Sequence, residues 1–421
     1  MKKQFLFIFF LMVSVCMRAQ FSGKGSGTTD DPYLITTANE LNQTRNNLEA
    51  CYKLMRDIDL TEWLSENNPS QGWMPIGAKD DPFKGTFDGN GKTVKLFINR
   101  PDQENVGFMG VVDHATIKNL TVKGNITGKT IVGGIIGYCN IQWLPACEIE
   151  NCHYVGNVNG GGIVGEMSST GSLVPTIKNC SFTGKAEAGI VYRCEMVYIQ
   201  GCKVNATIES ENHAGGIIGI IYPGKYSERK YGTKEWVDHF SKVYDCSVSG
   251  HIKGNNAGGI VGSSAALEVY NNLITADVEG TNAGGILGGK TGYTDVSVAK
   301  TSITKNVIAS AEIKGTNSVG RVSGTPDATC GNIGSLSTNY VINSLCFYLD
   351  GQKQTTSDNP QNGEICGKSV LAESATYEGL GWDMRKTWGM SSVPICHISF
   401  VWGKMLVQMM KRLLQTITTT L

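Results

Sequence analysis

The chain has no surplus of charge of either sign. It holds 37 Lys and Arg against 37 Asp and Glu, and removing Lys2, Lys3 and Arg18 with the leader described below leaves 34 against 37. Such a balance gives no field to recruit nucleic acid or an anionic membrane. Proline is scarce at 11 beside 52 glycines, and aromatics make up 8%. That mixture excludes collagen and suits a turn-rich all-β chain better than a disordered linker. No helical period of 3.6 interrupts the strand-like segments, so βαβ stacking is not expected. Catalytic signatures are missing too: HExxH and GxSxG do not occur. His114, His153, His213, His239, His251 and His397 are scattered singly. Glycosidase chemistry needs two carboxylates at a set separation, for which Asp245, Glu268 and Asp277 qualify only if the fold stacks them on one face. The expectation is a non-enzyme with no cofactor and no metal site.

What the chain does have is a repeat. Gly133-Gly134-Ile135-Ile136-Gly137 returns as Gly161 to Gly165, Gly215 to Gly219, Gly258 to Gly262 and Gly284 to Gly288, with a first copy at Gly107-Phe108-Met109-Gly110. Degraded copies stand at Ala188-Gly189-Ile190-Val191 and Val319-Gly320-Arg321-Val322. From 133 onward the steps are 28, 27, 27, 43, 26 and 35 residues, a unit of about 27 with two insertions. Each unit carries a second phrase of alternating β-branched residues ending in Asn, such as Ile149-Glu150-Asn151-Cys152 and Ile177-Lys178-Asn179-Cys180. Two or three short strands cannot bury an apolar face alone, so the units must coil on one another. The expected fold is an all-β, right-handed parallel β-helix, with glycines at corners that need positive φ or close backbone approach.

In register, the position after the Asn reads Leu120, Cys152, Cys180, Cys202, Cys246, Asn272 and Val307, a file of four thiols. The position before it reads Asn119, Asn151, Asn179, Gly201, Asp245, Asn271 and Asn306, an asparagine ladder at a turn. Metal or redox chemistry is the sharper reading of the thiols, and burial as small apolar groups is the better one.

Residues 1–19 read as a secretory signal: Lys2 and Lys3, an apolar run from Phe5 to Val15, then Met17-Arg18-Ala19. A lipid anchor at Cys16 is the weaker alternative. Residues 20–105 are expected to form an N-terminal cap and first rungs, with Thr37 and Glu40 at capping-box spacing before a short helix. Asp88-Gly89-Asn90-Gly91 reads as a turn rather than a calcium loop, because Asn99 stands where a bidentate Glu is required. Residues 106–324 are the repeat β-helix and 325–390 the final rungs and C-terminal cap. The tail, 391–421, lacks Asp, Glu and Asn while carrying Lys404, Lys411 and Arg412 among Met and Leu. It reads either as a basic amphipathic helix or as a shifted reading frame.

The leader Asp31-Pro32-Tyr33-Leu34-Ile35, then Asp57-Ile58-Asp59-Leu60, Trp73-Met74-Pro75-Ile76-Gly77, Phe83 to Gly91 and the Gly-x-x-Gly repeats together resemble the GLUG-motif β-helical proteins of bacterial surfaces. The resemblance spans roughly Gly25 to Gly324. Similar repeats occur in adhesin-like surface proteins and in the non-catalytic stalk of secreted immunoglobulin A proteases. The resemblance implies a secreted or surface location and a scaffold or adhesive role, without naming a ligand.

A solenoid varies most freely in its insertions. The longest, Tyr222 to Lys242, interleaves Tyr226, Tyr231, Trp236 and Phe240 with Lys225, Arg229, Lys230 and Lys234. A smaller excursion carries Trp143 between Cys139 and Cys147, which two thiols are spaced to close a small disulfide loop. Trp143, Tyr226, Arg229, Tyr231 and Trp236 are the ligand-binding candidates, for stacking on sugar rings or contacting a protein. The alternative is that these aromatics fold back over the flank. The expected function is a secreted or surface-displayed, non-catalytic scaffold with an adhesin-like role, its partner a surface glycan or a host or bacterial protein. No nucleic-acid partner and no transmembrane span are expected, and the chain is expected to be monomeric. The competing readings are a carbohydrate-active β-helix enzyme, a polysaccharide lyase or hydrolase, and a purely structural spacer.

Overall fold

Each β-branched phrase pairs in parallel with the same phrase one repeat later. The computed structural model describes residues 21–141, 146–169, 174–222, 227–229, 236–238, 241–264, 267–290, 301–325, 333–335, 338–355, 362–390 and 398–400. One parallel ladder runs Tyr33–Ile35, Cys51–Leu54, Thr86–Lys95, Thr116–Lys123, Glu148–Glu150, Thr176–Lys178, Tyr198–Gln200, Ser241–Tyr244, Leu267–Tyr270 and Thr301–Thr304. Beside it, past a short turn, run His153–Asn157, Ser181–Ala186, Lys203–Gly215 and Ser247–Gly258. A separate seven-stranded parallel sheet holds Met109–Asp113, Ile136–Ile141, Val164–Ser169, Val191–Cys194, Ile218–Ile221, Val261–Ser264 and Leu287–Lys290 in that order. Neighbours in space are one repeat apart in sequence, and the chain is a parallel β-helix. Its interior is a continuous apolar stack, with Ile135, Ile163, Ile190, Ile217, Ile260 and Ile286 fully buried.

The turn between the two adjacent ladders keeps one geometry. Asn119, Asn151, Asn179, Asp245 and Asn271 all have φ between 52 and 58°, and Gly201 has 66°. Short polar side chains tolerate this left-handed region, which explains the Asn. Asn151 Nδ2 donates to Asn119 Oδ1 at 3.1 Å, and Asn119 Nδ2 to Asp88 Oδ1 at 3.0 Å. The next residue points inward, and Cys152, Cys180, Cys202 and Cys246 are buried in one file. The sequence reading slips by one residue in the coil after Asn272. Lys305 has φ 59° and holds the turn, while Asn306, not Val307, enters the file.

The doubled glycines need close approach rather than unusual φ. A Cβ on Gly259 would collide with the Gly285 carbonyl of the next coil and with Ile274. The same place in the last repeat is Arg321, whose carbonyl accepts from Gly285 N at 3.1 Å and whose guanidinium lies 5.0 Å over Phe347. A side chain larger than hydrogen returns where the glycine-lined stack ends.

At the N-terminal end, Ala38–Gln43 forms the expected short helix, extended by one 3-10 turn over Thr44–Asn46. Glu40 N donates to Thr37 Oγ1 at 3.1 Å and Thr37 N to Glu40 Oε2 at 3.0 Å, closing the capping box. A second helix, Thr61–Asn67, follows, and Trp63 Nε1 donates to Asn39 at 2.7 Å. Asp88 accepts from Asn90 N at 2.8 Å, which is a turn contact. Near the C-terminus, the segment that follows the Glu364–Cys366 rung packs Leu371, Tyr377 and Leu380 into the core. The segment runs back along the outside of the turn column: Trp382 Nε1 donates to the Lys305 carbonyl at 2.8 Å, and Trp388 reaches Asp245 two coils further upstream. Burial of the indoles accounts for this course, since Trp382 and Trp388 pack against the flank with ring centres 4.6 Å apart and planes tilted by 38°. Trp388–Met390 pairs antiparallel with Ile398–Phe400 of the tail. Residues 1–20, where the secretory signal is expected, and the rest of the tail lie outside the described residues.

Candidate functional site

Every coil must cross from the seven-stranded sheet back to the long ladder, and this crossing is where length varies. Between Asp113 and Thr116, Ile141 and Glu148, Ser169 and Thr176, Cys194 and Tyr198, Ile221 and Ser241, Ser264 and Leu267, and Lys290 and Thr301 lie 2, 6, 6, 3, 19, 2 and 10 residues. The Trp143 excursion and the Tyr222 to Lys242 excursion therefore leave from one corner. Three coils separate them, about 14 Å at 4.8 Å per coil.

Of the sequence candidates, Trp143, Tyr226 and Tyr231 lie outside the described residues. Arg229 and Trp236 are placed by their backbones only. They sit opposite each other in a short antiparallel ladder, Ser227–Arg229 against Trp236–Asp238, so the longest excursion is a hairpin. Cys139 and Cys147 come together as free, buried thiols, and burial with mutual contact raises the Cys139 thiol well above its usual range.

The outer face at the return of this hairpin was not singled out from sequence. Tyr198, Lys242 and Glu268 share one column there, and Gln200, Tyr244 and Tyr270 the next. Tyr244 and Tyr270 stack with ring centres 5.0 Å apart at 11°. Lys242 Nζ lies 5.6 Å over the Tyr198 ring and 3.0 Å from Glu268 Oε2. The bond to Glu268 raises the Lys242 pKa despite partial burial. Burial, with Tyr244 and Asp245 beside it, pushes Tyr270 up to about 12. Asp245 is raised by burial, against the lowering effect of Gln200, Trp388 and Asn271. The signal was present as matching phrases, Val243-Tyr244-Asp245-Cys246 and Val269-Tyr270-Asn271-Asn272, whose tyrosines must stack once the turn is in register.

On the departing side, Tyr138, Glu166 and Arg193 occupy one outward column and Ser168 stands beside it. Arg193 NH1 is 3.9 Å from Glu166, whose carboxyl burial raises. Ser168 Oγ donates to Glu195 at 3.4 Å. The corner thus offers half-buried rings, a cation and carboxylates on both flanks, suited to ring stacking and hydrogen bonding. Asp245, Glu268 and Asp277 are not brought together: Asp245 sits in the turn, Glu268 pairs with Lys242, and Asp277 accepts from the Ala311 and Glu312 amides at 3.1 and 3.0 Å. Among the described residues, no three His, Cys, Asp or Glu side chains are grouped to hold a metal ion.

No family model matches the chain. It is 40% identical over 125 residues, 28% of its length, to "Putative Gly-rich membrane protein" of Evansella cellulosilytica, and 34% identical over 161 residues, 35% of its length, to "Halomucin" of Haloquadratum walsbyi. The chain spans only 14% and 2% of the length of these curated relatives. Among solved structures it is similar to a "putative immunoglobulin A1 protease" from Bacteroides ovatus, with TM-score 0.50 and 17% identity over 90% of this chain and 94% of that one. A likeness at that identity shows the fold. Among the described residues, no helix is long and apolar enough to cross a membrane.

Proposed function

We propose that this chain is a secreted or surface-displayed β-helical scaffold of the GLUG-motif kind, which holds a glycan or protein ligand at its loop-bearing corner without catalysis. The observation that carries the reading is the convergence of both aromatic insertions on one corner, flanked by the Tyr198, Tyr244 and Tyr270 face. Large insertions gathered on one edge of a solenoid often mark its binding face. The names of the two curated relatives, "Putative Gly-rich membrane protein" and "Halomucin", support a surface location.

The competing class is a carbohydrate-active enzyme on the same fold. Glycan and protein arrays, run beside polysaccharide depolymerisation on the same secreted chain, separate the two. Retention without turnover is expected. Turnover without retention would replace the scaffold reading with the enzyme, and neither retention nor turnover would leave a spacer.

A further inference from the structure

Away from the loop-bearing corner, on the way from the tight turn to the glycine corner, four coils lengthen together. His153–Asn157 and Ser181–Ala186 are short, whereas Lys203–Gly215, Ser247–Gly258, Asp277–Gly284 and Glu312–Gly320 run on. Their added residues stay in register: Ser210 opposite Gly254, Gly254 opposite Gly280, Gly280 opposite Gly315, and Gly315 opposite Leu349. A cavity of about 680 Å³ lies over this column. We propose that it is a trough for an extended, uncharged polysaccharide chain lying along the helix axis.

Three features of the lining point to that ligand class. The floor at Gly254, Gly280 and Gly315 is bare backbone, since a Cβ there would turn inward onto Ala214, Ala257 and Ser318. Both lysines of the lining are paired, Lys253 Nζ 2.7 Å from Glu279 Oε1 and Lys314 Nζ 2.6 Å from Glu312 Oε2, and Glu211 adds a further negative charge. A polyanion finds no unpaired column of cations there, so carboxylated or sulfated chains are disfavoured. Asn255, Thr281 and Thr316 line the trough with an amide and two hydroxyls, one per coil at a rise of about 4.8 Å; Thr281 Oγ1 donates to Asn255 Oδ1 at 2.6 Å, which leaves the Asn255 Nδ2 to donate and the Thr281 oxygen to accept. One sugar of an extended chain is close to one coil in length, so each sugar meets an equivalent polar group. At the downstream end Tyr348 follows Lys314 in register and supplies a ring for stacking. The tight hairpin that pairs Tyr348 with Lys353 places Gly351 at that end.

The test titrates the whole secreted chain with di-, tetra- and hexasaccharides of β-1,4-glucan, β-1,4-xylan and β-1,4-mannan, with tetragalacturonate as the anionic comparison, by calorimetry. At least one neutral tetrasaccharide is expected to bind tenfold or more tighter than its disaccharide. Tyr348→Ala and Thr281→Trp, which remove the ring and fill the trough, should each weaken that binding at least tenfold. Tyr348→Phe should retain it, and excision of Lys225 to Trp236 should leave it unchanged. No binding by any neutral chain, or binding of tetragalacturonate alone, would overturn the proposal. Binding that survives both trough variants but disappears with the excised hairpin would also overturn it, while leaving the loop-corner reading intact.

Discussion

Two corners of the same β-helix obey opposite rules. At the tight turn, from Asn119-Leu120 through Asn151-Cys152 to Lys305-Asn306, every coil uses one left-handed residue followed by one inward residue. At the crossing back from the seven-stranded sheet, the connection runs from 2 residues after Asp113 to 19 after Ile221. The difference lies in where backbone polar groups find partners. Inside the tight turn, Cys152, Cys180, Cys202 and Cys246 each direct a thiol at the carbonyl two residues earlier, at 3.2 to 3.6 Å. Asn272 and Asn306 occupy the same file and satisfy the equivalent carbonyls, of Tyr270 and Thr304, at 2.9 Å. An added residue there would break the file in every neighbouring coil. At the loop corner the backbone turns toward water, and length costs little.

The sharpest way to break the comparison is to remove an amide from the middle of the file. Asn306 Oδ1 accepts from the Asn272 backbone N at 3.0 Å and from Asn272 Nδ2 at 2.9 Å, while its own Nδ2 donates to Asn339, Val269 and Thr304. Asn306→Ala orphans a buried N–H and leaves a hole, and is expected to cost roughly 3 to 5 kcal/mol in urea denaturation. A loss under about 1 kcal/mol would mean that the file does not hold the turn.

The thiol half of the file titrates and the amide half does not, which gives a pH signature. Burial raises the thiols of Cys152, Cys180 and Cys202 well above their usual range. Groups with raised folded pKa values contribute stability that is fully present below the unfolded thiol value, near 8.5, and is lost as pH rises from there toward the folded values. The three together should cost roughly 2 to 3 kcal/mol by pH 9 relative to pH 7. The triple variant Cys152→Ala, Cys180→Ala, Cys202→Ala should lack that part of the slope, and an identical slope in both proteins would place these thiols in water.

A smaller effect is expected from Cys180→Ser. Its hydroxyl is shorter in reach than sulfur toward the Lys178 carbonyl, now 3.3 Å from Sγ, and is more costly to dehydrate. Roughly 1 to 2 kcal/mol should be lost, with Cys180→Ala costing less if the hole collapses. Native thiols in the file should resist iodoacetamide until the chain unfolds, and ready alkylation would contradict their burial.

Much of the tight corner was legible because its phrase repeats: the thiol file and the Asn119 to Asn151 ladder follow from spacing alone. The slip at Asn306 arose from following residue identity. Lys305 takes the left-handed place that Asn holds elsewhere, and only pairing of Val307 with Leu273 reveals it. The buried amide file was hidden for the same reason, since Asn272 beside Asn271 looks like a polar turn until one of them points inward. At the other corner, the lengths of the insertions were readable but their shared edge was not, because that depends on which strand each insertion follows. The trough had a signal in Lys253-Gly254-Asn255, Glu279-Gly280-Thr281 and Lys314-Gly315-Thr316, a phrase that acquires meaning only when stacked.

The smallest expected change in stability comes from the loose corner. Ser227–Arg229 and Trp236–Asp238 pair with each other, and among the described residues neither strand pairs with a rung of the helix. Ser241–Tyr244 after the hairpin holds its own place between Tyr198–Gln200 and Leu267–Tyr270, so the coil does not need the hairpin to keep its register. Replacing Lys225 to Trp236 by a short Gly-Ser bridge should therefore leave Tm within a degree or two of the parent, since surface changes of this kind are worth about 0.5 kcal/mol or less. Attachment of a ligand held at the loop corner should be lost, because Arg229 and Trp236 go with the hairpin, whereas a neutral polysaccharide held in the trough should stay bound. A large fall in Tm with attachment preserved would reverse the assignment: the hairpin would then shield the flank at Tyr198 and Tyr244, and the two corners would differ in length but not in purpose.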